Sequence, residues 1–140
     1  NRTAADMLPS TKGVSVACIP VLWNQGGYDV FFIEASNETS NEKHVLIRFG
    51  QITKGESHSF KGGYPFAVIK FFETAGYIVD AVGFTFILTQ ENLRAFELSK
   101  VEGERFLRTY NMHGSKSKWD PTKLAECVGK CTMETSEIIV

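Results

Sequence analysis

The feature of this sequence that most constrains its fold is an apolar period close to two, repeated along most of the chain. Residues 77–89 are the strongest strand candidate, since their odd and even positions form two faces that both carry apolar side chains. Residues 14–18 and 44–51 show the same alternation, and the glycine-containing segment 24–27 supplies a turn between two such segments. Because successive side chains of a strand point to opposite faces of a sheet, this pattern predicts strands.

The predicted strands and the turns between them indicate a fold class. We predict strands at residues 14–23, 28–35, 44–51, 67–72, 77–89, 94–99 and 105–110. Residues 52–65 contain Gly55, Gly62 and Gly63 and are predicted to form a long loop or a short ragged strand. The expected fold is therefore all-β: an immunoglobulin-like antiparallel β-sandwich formed by residues 1–140 as a single domain.

A short helix is predicted near the C-terminal end of the domain. Asp120 is a suitable N-cap, and Pro121 suits the first helical turn because its missing N–H would be unpaired there in any case. This helix is expected to cover residues 121–129. It follows a polar and basic segment at 111–118.

Composition and charge exclude several classes of protein. The chain has 140 residues, of which 43% are hydrophobic, so it can bury a core without metals or many cross-links. Its formal charge of -1 does not suit a nucleic-acid binder, which needs clustered Lys and Arg. Asp80, Gly83 and Thr85 interrupt the apolar segment 78–88, and no run approaches the roughly 20 apolar residues that span a bilayer.

Two glycosylation sequons favour a secreted protein. They are Asn1-Arg2-Thr3 and Asn37-Glu38-Thr39, the second within a polar stretch that reads as an exposed loop. The first residue is Asn1 and not Met, so we expect an excised piece of a longer chain. Asn37 and Asn1 are the expected glycosylation sites, in that order of preference.

The three cysteines add a constraint to this expectation. Cys18 lies near the start, whereas Cys127 and Cys131 lie near the end. A disulfide from Cys18 to Cys127 or to Cys131 would close a long loop and add about 4 to 5 kcal/mol of stability in the chain-entropy model. The third thiol would then be buried or bonded to a neighbouring molecule. Three buried reduced thiols are the alternative.

The sequence carries no catalytic or metal-binding motif. A structural zinc site needs four ligands, and the close pair Cys127 and Cys131 has only the distant Cys18 and His113 to complete it. Asp80 is the one acidic residue inside an apolar strand, and it is expected at a strand edge or paired with an arginine. We therefore expect neither an enzyme nor a cofactor or metal.

Aromatic residues are the best candidates for a binding surface. Their number exceeds what one strand face can bury, so some rings are expected to be exposed, although a sandwich core is the alternative place for them. Phe60, Tyr64 and Phe66 lie in or beside the glycine-containing segment 52–65 and are the first candidate binding residues.

The order of cysteine and aromatic segments resembles a known family. A first strand containing Cys18 (16–19), a Tyr- and Phe-rich strand (76–86) and a closing Cys127 are similar to the ZP-N module of egg-coat proteins. Within that family the chain looks most like one repeat of the vitelline-envelope receptors for sperm lysin. The resemblance covers residues 14–131.

The resemblance implies a fold and a function. ZP-N modules are immunoglobulin-like sandwiches with two disulfides from four cysteines, so this chain, with three, departs from the pattern. It implies a secreted structural and recognition module of an egg coat, in the extracellular matrix, that binds a cationic lysin-like sperm protein during fertilisation. The physical candidates for that binding surface are Phe60, Tyr64, Phe66 and Tyr77, with Glu56, Glu73 and Asp80 as partners for basic side chains. Self-association through the third cysteine or through strand edges would suit a coat. The alternative is a secreted carbohydrate-binding or other protein-interaction β-sandwich.

Overall fold

The computed structural model describes residues 15–20, 26–37 and 42–132. Within these ranges the chain is rich in strands and contains one 12-residue helix, α1 (Gly63–Thr74). The strands are β1 (Ser15–Cys18), β2 (Val30–Asn37), β3 (Lys43–Ile52), β4 (Ser57–Lys61), β5 (Tyr77–Leu88), β6 (Glu97–Glu102), β7 (Asn111–Met112) and β8 (Gly129–Thr132). The expectation of a strand-rich domain with a short helix is confirmed.

The main sheet has six strands and is mixed. Its order is β1-β2-β3-β5-β7, and β8 also pairs with β5. The first two pairings are antiparallel, whereas β3 pairs in parallel with β5, and β5 in parallel with both β7 and β8. The expectation of antiparallel pairing throughout is therefore wrong.

The parallel pairing of β3 with β5 follows from the crossover between them. After β3 the chain forms β4 and α1 before it returns as β5, so both strands can run in the same direction. We predicted a strand at 67–72, where the structure has α1. Pro65, Ile69 and Phe72 are its buried residues, and their spacings of four and three place them on one helix face.

A second, smaller sheet begins in the segment 52–65, for which we predicted a long loop or a short ragged strand, and its strand β4 agrees with the second alternative. Strand β4 pairs in parallel with β6, and Phe60 of β4 is opposite Val101 of β6. The strand predicted at 94–99 is shifted to β6, and the one predicted at 105–110 is instead a 3-10 helix, Glu104–Leu107.

The C-terminal helix is shorter than predicted. A 3-10 turn, Pro121–Lys123, leads into α2 (Leu124–Cys127), and the chain then turns into β8. Asp120 caps this start as expected, since its carboxylate accepts hydrogen bonds from the backbone N and the hydroxyl of Thr122. These bonds are the main cause that lowers the pKa of Asp120.

One aromatic core connects the two sheets and α1. Phe60 of the small sheet meets Phe84 of the main sheet edge to face, with ring centroids 5.1 Å apart. Phe86 contacts Phe96 at 5.0 Å, and Phe72 brings α1 onto Tyr77 at 5.8 Å. These contacts place all three layers in a single hydrophobic cluster.

The predicted disulfide is absent from the structure, whose described residues include all three cysteines. Cys18 lies on β1 and Cys131 on β8, with β2, β3 and β5 between them. Four inter-strand spacings amount to about 19 Å, whereas the Cα atoms of a disulfide lie within about 7 Å. Cys127 forms no disulfide either, and its Sγ accepts a hydrogen bond from the backbone N–H of Asp120.

The described residues contain no helix that is both long enough and apolar enough to cross a membrane. Asn1 and the side chain of Asn37 lie outside the described part of the chain, so the two glycosylation sites stay predictions.

Candidate functional site

Two exposed aromatic rings flank a groove at the start of α1. Tyr64, at the beginning of α1, is 42% exposed, and Phe106, in the 3-10 helix after β6, is 48% exposed. The cavity between them has a volume of about 490 Å³. We call it the aromatic groove, and its lining residues are Lys61, Gly63, Tyr64, Ala67, Glu102, Gly103 and Phe106.

Two glycines bring the two sides of the aromatic groove together. The backbone N–H of Gly62 donates to the carbonyl of Glu102 at 2.7 Å. A Cβ on Gly62 would lie 2.3 Å from the carbonyl oxygen of Gly103, so only glycine allows this approach. Gly103 also has φ of +69°, a conformation that glycine adopts without steric cost. The start of α1 is thereby fixed against the turn after β6.

Both rings of the aromatic groove have packing that holds them in place. Tyr64 lies on the backbone of Gly27, where an added Cβ would come within 2.5 Å of the Tyr64 Cβ. Phe106 stacks on Phe66 with centroids 4.8 Å apart and planes 14° apart. Lys70 lies over the ring of Phe66, its Nζ 5.3 Å from the centroid. The groove is therefore formed before any partner binds, which lowers the entropy cost of binding.

The charges beside the aromatic groove are unequal. Glu102 forms a salt bridge with Lys100 at 2.8 Å, and this bond is the main reason that the pKa of Glu102 is lowered, with a smaller effect from Lys61. Lys61 forms no hydrogen bond or salt bridge with any residue in the described part of the chain. Lys61 is therefore the charged group at this groove that is available to form a salt bridge with a partner.

The predicted aromatic binding residues separate into two groups. Tyr64 borders the aromatic groove, and Phe66 supports it from behind. Phe60 is completely buried, and Tyr77 is only 5% exposed, so neither ring is part of a surface. Phe106 was missed because residues 105–110 were interpreted as a strand.

The predicted acidic residues do not line the aromatic groove. Glu56 is exposed before β4, and its backbone carbonyl accepts a hydrogen bond from the N–H of Glu97. Glu73 accepts a hydrogen bond from the hydroxyl of Tyr110 at 2.9 Å and pairs with Lys70 at 3.1 Å. Burial first, and then this hydrogen bond, raise the pKa of Tyr110. Glu73 thus has a structural role.

Asp80 belongs to a polar cluster at one end of the main sheet. Its Oδ1 lies 2.7 Å from the Nδ1 of His44, and its Oδ2 accepts a hydrogen bond from the hydroxyl of Ser36 at 2.5 Å. The Nε2 of His44 faces Glu42 at 3.2 Å. The charged partner of Asp80 is therefore a histidine and not the expected arginine. Strand β7 pairs with β5 only from Ala81 onward, so Asp80 lies just before the part of β5 that is paired on both sides.

This polar cluster lacks the geometry of a catalytic triad. A serine nucleophile needs its hydroxyl beside the histidine nitrogen that takes the proton. Here the hydroxyl of Ser36 binds Asp80, and Glu42 lies at the far nitrogen of His44. Within the described residues, no group of three or more His, Cys, Asp or Glu side chains could hold a metal ion.

No protein-family model, curated protein or solved structure matches this chain. The resemblance to ZP-N modules consequently rests on the sequence pattern alone.

Proposed function

We propose that this domain is a non-enzymatic recognition module, which binds a partner protein by receiving one apolar side chain in the aromatic groove. The observation that carries this proposal is the pair of exposed rings, Tyr64 and Phe106, which line one cavity together with Gly63 and Gly103. Large aromatic side chains in preformed pockets are typical of the residues that dominate binding energy at protein interfaces.

The lining of the aromatic groove favours a protein side chain over a sugar. A sugar-binding site needs several hydrogen-bonding groups to match hydroxyls, and the side chains here are apolar except for Lys61, Glu102 and the hydroxyl of Tyr64. Glu102 is already paired with Lys100. The volume of about 490 Å³ accommodates a large apolar side chain with its neighbouring backbone.

Charge defines the partner further. Lys61 is the cation at the groove, and it forms no salt bridge with a described residue. A carboxylate of the partner, next to the apolar side chain that enters the groove, would therefore pair with Lys61. The expected binding motif is therefore a large apolar residue next to an acidic one. This motif differs from the cationic sperm protein that the ZP-N resemblance implies, for which Glu56 and the other predicted acids lie outside the groove.

The egg-coat function that the ZP-N resemblance implies is a separate proposal, since it needs a cationic partner, whereas the aromatic groove favours an acidic one. A secreted egg-coat module with an immunoglobulin-like sandwich would need a binding surface of this kind, and Tyr64 was among its predicted residues. The parallel pairing of β3 with β5 is not part of an antiparallel sandwich. The recognition function therefore rests on the aromatic groove and not on the resemblance.

Selection of random displayed peptides on the immobilised domain tests the proposal. We expect the enriched peptides to share a large apolar residue beside Asp or Glu. Tyr64→Ala and Phe106→Ala should each weaken their binding at least about tenfold, equivalent to about 1.4 kcal/mol. Lys61→Ala should weaken it less, and mainly at low salt.

Phe71→Ala is the matched control, because Phe71 is also 42% exposed and lies on the same helix but outside the groove. Peptides that bind Tyr64→Ala and Phe106→Ala as tightly as they bind the parent domain would contradict the proposal. Enrichment of Lys- and Arg-rich peptides would instead favour the cationic partner of the egg-coat proposal. A glycan array tests the carbohydrate alternative. Sugar binding by the parent domain that is lost in Tyr64→Ala and Phe106→Ala would overturn the assignment to a protein partner.

A further inference from the structure

The polar cluster around His44 lies where two strands are irregular. The pairing of β2 with β3 skips Ser36, since Ala35 is opposite Val45 and Asn37 is opposite His44. The pairing of β3 with β5 skips Asp80 in the same way. Ser36 and Asp80 are thus the extra residues of two bulges, one on each side of β3. Bulges redirect side chains. Here the hydroxyl of Ser36 donates a hydrogen bond to Asp80, and Asp80 also contacts His44.

Both ring nitrogens of His44 face carboxylates, an arrangement that suits the doubly protonated ring. Its Nδ1 lies 2.7 Å from Asp80 and its Nε2 lies 3.2 Å from Glu42, and an ionised carboxylate can only accept. A neutral imidazole has one N–H, so one of its two nitrogens would present a lone pair to a carboxylate oxygen. With both carboxylates ionised, both contacts are hydrogen bonds only when the ring is in the imidazolium form.

The two carboxylates differ in how firmly they are placed. Asp80 makes the shorter contact, is 35% exposed, and also accepts the hydroxyl hydrogen bond of Ser36. Glu42 makes the longer contact and is 67% exposed. When His44 is neutral, its remaining N–H therefore stays with Asp80, and the hydrogen bond between His44 and Glu42 is lost.

We propose that His44 is a proton-operated latch, which binds Glu42 to the main sheet when it is protonated and ends that contact when it is neutral. Glu42 directly precedes β3, so the latch acts on the entry of the chain into this strand. Among the described residues, the charged groups in contact with His44 are Asp80 from β5 and Glu42 from the segment before β3, while β2 contributes the neutral Ser36, which binds Asp80. This inference is independent of the aromatic groove.

The electrostatic surroundings support this arrangement. The hydrogen bond to Asp80 is the largest effect on His44 and, with Glu42, it raises the pKa of His44 above its usual 6.5, although partial desolvation opposes the change. A histidine whose pKa is higher in the folded state stabilises the fold fully below its unfolded pKa. That contribution is lost as the pH rises through the folded pKa.

Titration of His44 by NMR tests the latch. We expect an apparent pKa above 6.5, and the resonances of Glu42 and Lys43 should change with the same midpoint. In Glu42→Gln the pKa of His44 should shift downward, and in His44→Gln the change at Lys43 should disappear. Glu91→Gln is the control, since Glu91 is exposed and distant from the cluster, and it should leave the titration unchanged.

His113 serves as an internal reference in the same spectra. Burial, followed by the charge of Arg48, lowers the pKa of His113, so His113 should titrate at lower pH than His44. A pKa of His44 at or below 6.5 would overturn the proposal. So would a pKa that is equal in the parent and in Glu42→Gln, because the exposed Glu42 can be replaced without unfolding the domain.

Discussion

At the scale of single residues, glycines decide whether the aromatic groove exists. Gly62 and Gly103 were visible in the sequence, but Gly62 indicated only a long loop or a short ragged strand, and Gly103 only a turn. Their role depends on a contact between segments about forty positions apart, in which a Cβ on Gly62 would meet the carbonyl of Gly103. Glycine has the same appearance in a sequence whether it serves a turn or such a close approach.

Replacement of Gly62 tests this contact. Gly62→Ala should destabilise the fold by about 1 to 3 kcal/mol, because the added methyl group overlaps backbone atoms that cannot move independently. Gly63→Ala is the control, since its Cβ would meet only Phe106 at an ordinary 3.9 Å. Urea unfolding of both variants provides the measurement. Equal stability of the two variants would contradict the close approach.

At the scale of elements, the greatest difference between prediction and structure is α1. Residues 67–72 form a short apolar run, which fits a buried strand and a buried helix equally well. Pro65 and Ile69 reveal the helical spacing only when a longer window is considered. In β5 the sequence correctly indicated a strand. The extra residue Asp80 shifts the alternation, so that from Val82 onward the even-numbered residues are the buried ones. Such a bulge changes which residues face the core without changing the local composition.

Two adjacent phenylalanines test the orientation of α1. Phe72 is completely buried, whereas Phe71 is 42% exposed. Phe72→Ala should cost about 3 to 5 kcal/mol of unfolding free energy, since it leaves a cavity beneath the helix. Phe71→Ala should cost much less, and chemical denaturation followed by circular dichroism would measure both. A greater loss for Phe71→Ala would mean that the opposite face of α1 is packed.

At the scale of the whole molecule, the aromatic core makes the two sheets one unit. Phe60 and Phe84 join the small sheet to the main sheet, and Trp119 is anchored to β5 by a hydrogen bond from its ring N–H to the carbonyl of Val82 at 2.9 Å. Since these contacts span all layers, no described element has a core of its own.

We therefore expect a single cooperative unfolding transition. Far-ultraviolet circular dichroism, which reports strands and α1, and near-ultraviolet circular dichroism, which reports packed aromatic rings, should give the same urea midpoint. Trp119→Phe should lower both midpoints together, because it removes a buried hydrogen bond worth about 1 kcal/mol and some packing. Two separate midpoints would show that the sheets unfold independently.

The sequence by itself determined the abundance of strands and the N-cap at Asp120. These properties depend on neighbouring residues, through the alternation of side chains and the local hydrogen bonds of a cap. Only the tertiary structure decided the parallel pairing of β3 with β5, the meeting of Tyr64 with Phe106, and the position of Asp80 beside His44. Each of these depends on which distant strands pair and where their register slips, and no local period encodes that choice.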